Sequence, residues 1–130
     1  MAINVEIVTP GEVAAQVVVT QVRAPGFLGE FGVLPGHAPL LSVLKPGVVT
    51  LALTDGSTQV FVVGGGFVEA GPDRLIVLTD ACEPAAGVDK AAATKALADA
   101  EKAMATLDPN SSEWRQAVYQ ADLNRARLSA

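Results

Sequence analysis

Glycine and alanine divide this chain into two parts of different composition, and the change falls near Pro84. Eleven of the twelve glycines and six of the eight prolines lie in residues 1–83, whereas fourteen alanines lie in residues 84–130. Glycine and proline interrupt regular structure, while alanine is the strongest helix former. The sequence therefore predicts a β domain over residues 1–84, followed by a helical unit over residues 85–130.

The overall composition excludes several classes of protein. The chain has 130 residues, half of them hydrophobic, and a formal net charge of −5. An acidic chain of this kind disfavours nucleic-acid binding, which needs clustered lysine and arginine to neutralise phosphates. No apolar run approaches the ~18 residues of a membrane span, and the first residues lack the pattern of a signal peptide. We therefore expect a soluble intracellular protein that meets a membrane only indirectly, through a partner.

Short runs of β-branched residues alternate with turn residues throughout the first part of the chain. The pair Asp55–Gly56 is typical of a tight hairpin, because glycine supplies a positive φ, and residues 70–73 contain a second turn. No amphipathic stretch predicts a crossover helix between these runs, which disfavours a doubly wound α/β fold. The pattern favours an antiparallel β-sandwich. Its expected strands are residues 4–9, 13–24, 31–34, 38–43, 47–53, 57–63, 67–70 and 74–79.

The second part predicts two helices, over residues 88–107 and 111–128, that form an antiparallel hairpin. Pro109 ends the first helix because it disfavours helical geometry at the preceding residue. Asn110 and Glu113 have the spacing of a capping box for the second helix. Alanines supply most of the apolar face and bury little area, so we expect the hairpin to need a docking surface. The stripe expected on the first helix consists of Ala92, Ala96, Ala100, Ala103 and Leu107.

Groups suited to catalysis or metal binding are few. The single histidine, His37, and the single cysteine, Cys82, cannot assemble a metal site with several ligands of either type. No serine has the G-x-S-x-G context of an activated nucleophile. The three glycines of residues 64–66 precede another strand rather than a helix, which indicates a bulge or a close backbone approach instead of a phosphate-binding loop. The sequence therefore predicts no catalytic residue and no metal ligand, and a stand-alone enzyme is disfavoured.

The glycine-flanked residues 25–32 are a candidate interaction surface, because loops commonly carry function. Phe27, Leu28 and Glu30 could together form an exposed tip. Phe27 and Leu28 could equally fold back into the core, and composition alone does not decide between these alternatives.

Several longer motifs resemble one known family, the epsilon subunits of bacterial F-type ATP synthases. The most specific is the run from Gly29 to Leu41, which contains the segment Pro35-Gly36-His37-Ala38-Pro39. The resemblance extends over the whole chain, including the alanine-rich end. The other matching runs are residues 44–47, 64–69 and 77–80.

The resemblance implies a non-catalytic rotor subunit at the cytoplasmic face of the bacterial inner membrane. In this family the β-sandwich binds the gamma subunit and sits on the ring of c subunits, so that proton-driven rotation reaches the catalytic alpha and beta subunits. The hairpin folds against the sandwich or extends toward the catalytic subunits, where it inhibits ATP hydrolysis. The residues that map to the c-ring and gamma interface are Phe27, Leu28, Glu30, His37 and Ala38.

Nucleotide binding is the point at which the sequence departs from part of this family. Some members bind ATP through Ile or Leu, Asp, two variable residues, Arg and Ala at the start of the first helix. The corresponding run begins with Val88 and Asp89, but Ala92 stands at the arginine position. A guanidinium suited to anionic groups is therefore missing there, unless Lys90 or Arg125 compensates. We therefore expect the chain to bind no cofactor. The alternative is an ATP-sensing module, for which the candidate nucleotide-binding residues are Val88, Asp89 and Arg125.

Overall fold

A computed structural model describes residues 2–130 of the chain. Its strands precede its helices, and the predicted fold class, a mainly β α+β chain with an N-terminal β-sandwich and a C-terminal helical hairpin, is confirmed. The strands are β1 (Ile3–Thr9), β2 (Glu12–Gly26), β3 (Gly29–Val33), β4 (Leu40–Leu53), β5 (Thr58–Ala70), β6 (Arg74–Leu78) and β7 (Cys82–Pro84). A 3₁₀ turn, Ala85–Gly87, leads to the helices α1 (Lys90–Thr106) and α2 (Ser112–Ser129).

The sheet closes on itself and gives the sandwich a barrel-like form. Its order is β1-β6-β5-β4-β2-β3, and β1 pairs with β2 as well, so that five strands form a ring with β3 and β7 at its margin. The pairing of β1 with β6 is parallel, which corrects the prediction of a wholly antiparallel sheet. The reason is one of parity: strand directions cannot alternate all the way round a closed ring of five, so one neighbouring pair must run in the same direction.

Two strands continue through points where the sequence predicted breaks. β4 runs through Pro46 and β5 runs through residues 64–66, with Pro46 directly opposite Gly64. The β4–β5 ladder keeps one register along this length, so the bulge considered for the glycines is absent from it. A close approach explains them better, since a side chain at Gly66 would collide with the Leu78 carbonyl. Within residues 2–130 the structure therefore has seven strands where eight were expected, because two long strands replace four short ones and β7 was not predicted.

The core lies inside the ring and is built from alternate residues of its strands. In β1, Ile3, Val5 and Ile7 are buried, while Asn4 is exposed. This alternation is the pattern of a strand with one face on the core. This buried core is almost wholly aliphatic, and its largest fully buried side chains are Ile3, Ile7, Leu51, Leu75, Val5, Val19, Val22, Val33, Val49, Val63 and Val68.

The helix starts follow local capping chemistry. Asp89 caps α1 by accepting a hydrogen bond from the Ala92 amide at 3.0 Å. Ser111 caps α2 by accepting from the Trp114 amide at 3.1 Å, so the prediction of Asn110 as the capping residue is wrong by one position. The Asn110 amide instead donates to the Asp108 carboxylate at 2.9 Å, which places Asn110 in the turn that Asp108 organises.

The hairpin is docked, with α2 between the sheet and α1. Leu123 and Ala126 pack on Val62 and Val48 of the sheet. Another face of α2 buries Ala117, Ala121 and Asn124, and α1 packs on α2 rather than on the sheet. On α1 the buried residues are Ala93 and Ala100; Ala92, expected in the apolar stripe, is exposed.

Candidate interaction surface

The β2–β3 turn projects two large apolar side chains into solvent. Gly26 and Gly29 pair across the end of the hairpin, so that Phe27 and Leu28 form a two-residue turn between them. Leu28 is 99% exposed and Phe27 is 69% exposed, which decides between the two alternatives left open by the sequence. Gly29 has a φ of +140°, a conformation that a residue with a side chain rarely adopts. The Phe27 amide donates to the Val43 carbonyl at 2.9 Å and fastens the turn to β4.

A groove of about 680 Å³ runs between this turn and β4, and we call it the turn groove. It is lined by residues 26–32, His37 and residues 40–43. The structure thus brings together four of the five interface residues expected from the resemblance. The fifth, Ala38, is adjacent, since its carbonyl accepts a hydrogen bond from the His37 Nδ1–H at 2.6 Å.

The loop that carries His37 is tied to a distant turn of the sandwich. The His37 amide donates to the Leu34 carbonyl at 3.1 Å, and the Gly36 amide donates to the Pro72 carbonyl at 2.6 Å. Gly36 has a φ of +85°, so a glycine is needed at this position of the turn. The long-range bond fixes the loop relative to the β5–β6 turn.

Glu30 carries the charge at the rim of the turn groove. Its Oε1 lies 3.2 Å from Arg23 Nη2, and both side chains are more than half exposed. An exposed ion pair of this kind contributes only about 0–1 kcal/mol to stability. The Glu30 carboxylate can therefore exchange Arg23 for another cationic group at little cost.

A second exposed apolar feature was not found from the sequence. Val43, Phe67 and Leu78 lie side by side on β4, β5 and β6, in direct register, and each is 48–52% exposed. We call these three residues the apolar row. The sequence signal that could have revealed it is the alternation of residues between the two faces of β5 and β6. This alternation places Phe67 and Leu78 on the face opposite the buried Val68 and Val77. Because Val43 also lines the turn groove, the two apolar surfaces are continuous.

The nucleotide candidates do not converge on one groove. Arg125 lines a groove of about 520 Å³ between α2 and β4, together with Lys45 and Asp122, and it forms an ion pair with Asp122 at 3.0 Å. Asp89 does not line this groove and uses its carboxylate to cap α1. Val88 does not line it either and packs in the apolar cluster beneath α2.

The groups with displaced pKa values lie outside the turn groove and the apolar row. Burial raises the pKa of the Cys82 thiol, helped by the neighbouring Glu83, so a reactive thiolate is disfavoured. Burial also raises the pKa of Tyr119, with a further contribution from Asp80. Hydrogen bonds from the Ser57 hydroxyl and amide lower the pKa of Asp55. Among residues 2–130, no three His, Cys, Asp or Glu side chains are grouped as a metal site would require.

Comparison with known proteins identifies the family. The family model described as "ATP synthase, Delta/Epsilon chain, beta-sandwich domain" matches residues 2–85. The chain belongs to this ATP synthase family. It is 40% identical to the ATP synthase epsilon chain of Myxococcus xanthus (strain DK1622), in a match that covers 98% of this chain and 93% of that one. It is 41% identical to the epsilon chain of Moorella thermoacetica, with 83% and 81% covered.

Solved structures show the same fold. A chain in the cryo-EM structure of Euglena gracilis mitochondrial ATP synthase, described as OSCP/F1/c-ring in rotational state 1, superimposes with a TM-score of 0.86 at 22% identity. That match covers 96% of this chain and 78% of the other. A chain of the Tetrahymena thermophila central stalk and c-ring superimposes with a TM-score of 0.67 at 14% identity, over 99% and 96% of the two chains.

Family membership assigns the kind of protein. An ATP synthase epsilon chain is a stalk subunit without catalytic activity of its own, and the ATPase activity belongs to the complex. Within residues 2–130, no helix combines the length and hydrophobicity that a membrane span requires.

Proposed function

We propose that this chain is a rotor subunit in the central stalk of a bacterial F-type ATP synthase, where it couples rotation of the c-ring to ATP synthesis. The observation that carries this proposal is the continuous apolar surface formed by the turn groove and the apolar row. Large contiguous apolar surfaces on a small protein mark sites of protein interaction. The complex would hold the chain peripherally, at the cytoplasmic face of the bacterial inner membrane.

The turn groove is the surface that we assign to the c-ring. Leu28 leaves 99% and Phe27 leaves 69% of its surface in water, so contact with a partner would remove this apolar area from water. Glu30 lies beside them with an exposed carboxylate. This combination suits a partner surface that offers a shallow apolar contact and a hydrogen-bond donor or a cation.

The apolar row is the surface that we assign to the gamma subunit. Val43, Phe67 and Leu78 form a flat strip across three strands, and a cavity of about 330 Å³ adjoins Phe67 and Leu78. A flat strip beside a shallow cavity suits an extended or helical segment with apolar side chains. His37 and Ala38, at the other end of the surface, would then lie where gamma and the c-ring meet.

The helical hairpin supports a regulatory role. Its contact with the sheet relies on few large apolar side chains, chiefly Leu123 and Tyr119, and burying each contributes roughly 2 kcal/mol. A docked state held this weakly can exchange with an undocked one. In the assembled complex, undocked helices would reach the alpha and beta subunits and inhibit ATP hydrolysis.

We propose that the chain performs this role without a bound cofactor. Asp89 is engaged as the cap of α1, and Arg125 is paired with Asp122 in a different groove. Calorimetric titration of the full-length chain with ATP tests the proposal, and we expect no binding below millimolar concentrations. Micromolar binding would favour the alternative, an ATP-sensing module.

A crosslinking experiment in the assembled complex tests the rotor assignment. Cys82 is first replaced by serine, and Glu30→Cys is then introduced to carry a short photo-crosslinker. We expect a product with the c subunit and co-purification of the chain with gamma. Thr54→Cys is the matched control, because Thr54 is also exposed but follows the opposite end of the long strand β4. Equal c-subunit products from both positions, or none from Glu30→Cys, would contradict the assignment.

A further inference from the structure

Gly64 differs from the two glycines that follow it. Gly65 and Gly66 have φ angles of +83° and +119°, which alone favour glycine at those positions. Gly64 has no positive φ, so its backbone conformation is open to any residue. It is nevertheless buried within β5, and the lack of a side chain must have a spatial reason.

Tyr119 of α2 supplies that reason. A Cβ atom added at Gly64 would collide with the Tyr119 hydroxyl. It would also lie 3.2 Å from the Ala81 Cβ, a tight but smaller conflict. The end of the Tyr119 side chain therefore occupies the space that any other residue at position 64 would need, and we call this space the Gly64 notch.

The floor of the Gly64 notch is fixed by hydrogen bonds. The Gly64 amide donates to the Ala81 carbonyl at 2.9 Å and lies 3.2 Å from the Thr79 hydroxyl oxygen. The Thr79 hydroxyl, which is itself buried, donates to the Ala81 carbonyl at 3.0 Å. Residues 79–81 are thereby tied to β5. Widening the notch would break these buried hydrogen bonds and leave their polar groups without a partner.

Two further residues on the same face of α2 continue the contact. Tyr119, Leu123 and Arg127 are spaced four residues apart, so they follow one another along one side of the helix. Leu123 packs with Val62, and the Arg127 Nε–H donates to Glu83 Oε1 at 2.5 Å. The Arg127 and Glu83 side chains are 30% and 37% exposed, so water screens this ion pair less than a surface pair.

We propose that the Gly64 notch sets the docked position of the helical hairpin, with the Tyr119 side chain seated in it and the Glu83–Arg127 ion pair holding the next two turns of α2. A helix that contacts a sheet only through a smooth apolar face can slide or rotate on it. A side chain seated in a rigid notch allows the helix only one docked position. The regulatory consequence rests on the proposed function, but the docking itself does not. Release of the hairpin then requires Tyr119 to leave the notch.

Hydrogen exchange of the full-length chain, followed by mass spectrometry, tests this inference. Gly64→Ala fills the notch, and we expect α2 amides to exchange at least tenfold faster while β1 and β2 amides keep their rates, because most of the stability of a helix in a protein comes from the packing of its apolar face. Tyr119→Phe in the same chain removes the colliding hydroxyl. We expect the double variant to return to within threefold of the original α2 rates.

Two controls keep the test specific. Gly71→Ala is the matched glycine substitution, because a Cβ there meets nothing within 4 Å and the backbone has no positive φ; it should leave α2 exchange unchanged. Glu83→Gln should accelerate exchange most in the last turns of α2, near Arg127. Unchanged α2 exchange in Gly64→Ala would overturn the inference. So would a double variant that exchanges as fast as Gly64→Ala, since the conflict with Ala81 would then account for the effect.

The outcome is separable from that of the proposed function. Exchange is measured on the isolated chain, so the docking result stands whether or not the chain joins a rotor. If docking follows the notch but Gly64→Ala leaves ATP hydrolysis by the assembled complex unchanged, the regulatory role fails and the docking mechanism holds.

Discussion

Phe67 and Leu78 are direct partners in the antiparallel pair of β5 and β6, and each leaves about half of its surface in water. Cross-strand neighbours of this kind usually shield one another, yet this pair presents a common apolar face. We therefore expect the double substitution Phe67→Ser and Leu78→Ser to lower affinity for gamma by at least tenfold, measured by co-purification and surface binding. The melting temperature should fall by only a few degrees.

The matched control for this pair is Val13→Ser, since Val13 is also about half exposed (54%) but lies at the start of β2. It should leave gamma binding unchanged. Equal loss of binding in both proteins would mean that general destabilisation, rather than the apolar row, is being measured.

Lys90 joins the start of α1 to the end of α2. Its ammonium donates to the carbonyls of Arg127, Leu128 and Ala130 at 2.8, 3.1 and 2.9 Å. A cation at a helix C-terminus satisfies unpaired carbonyls and complements the helix dipole. We expect Lys90→Met to reduce the free energy of unfolding by about 1 kcal/mol, measured by urea denaturation, with faster exchange in the last turn of α2.

Lys95→Met is the comparison for Lys90. The Lys95 ammonium forms only an exposed pair with Asp99 at 3.3 Å, so its loss should change the unfolding free energy by less than about 0.5 kcal/mol. If the two variants are equally stable, the three carbonyl contacts of Lys90 contribute nothing measurable.

Tyr119 is the single tyrosine of the chain, which permits a direct titration by tyrosinate absorbance. Burial raises the pKa of its hydroxyl, Asp80 raises it further and Arg127 opposes them. A raised folded-state pKa means that docking is unaffected below the unfolded value of about 10 and weakens as the pH rises from there through the folded value. We expect α2 to loosen above about pH 10, and Tyr119→Phe to show less loosening.

The difference between the two proteins isolates the contribution of the Tyr119 hydroxyl. A tyrosinate transition at the ordinary pKa in the docked chain would contradict the seating of this ring against the sheet.

Asp55 organises the β4–β5 turn. Its carboxylate accepts hydrogen bonds from the Ser57 amide at 2.8 Å and from the Ser57 hydroxyl at 2.5 Å, and these bonds lower its pKa. A lowered folded-state pKa gives stability that is present above the unfolded value of about 3.9 and is lost as the pH falls through the folded value. We expect Asp55→Ala to lower the melting temperature at pH 7 and to remove this acid dependence.

The acid dependence is read from melting curves between pH 2 and pH 7. Asp73→Ala, in the other predicted hairpin turn, serves as the comparison, because the bonds of that turn come from the backbone, with Gly71 donating to Arg74. An unchanged pH profile in Asp55→Ala would contradict the assigned role of its carboxylate.

Features set by neighbouring residues were predictable. The break at Pro109, the turn at Asp55–Gly56 and the division near Pro84 depend on backbone preferences and short-range hydrogen bonds that a few residues determine. The capping prediction at Asn110 was wrong by one position because of another short-range hydrogen bond. The Asn110 amide donates to the Asp108 carboxylate, which places Asn110 in the turn before α2.

Features that depend on distant pairing were not predictable. Pro46 and the glycines of residues 64–66 read as breaks, yet each segment continues as strand because the other lies opposite it. The groove around Leu28 and His37 joins residues from three separate segments, and nothing in their spacing along the chain shows that they meet.

The sequence by itself determined a β domain followed by an alanine-rich hairpin, because propensity and turn chemistry act over a few residues. The tertiary structure decided that five strands close into a ring with one parallel pair, that Phe67 and Leu78 face outward together, and that Tyr119 meets Gly64. These outcomes depend on which surfaces are left uncovered once the sheet has closed, and that is a property of the whole fold.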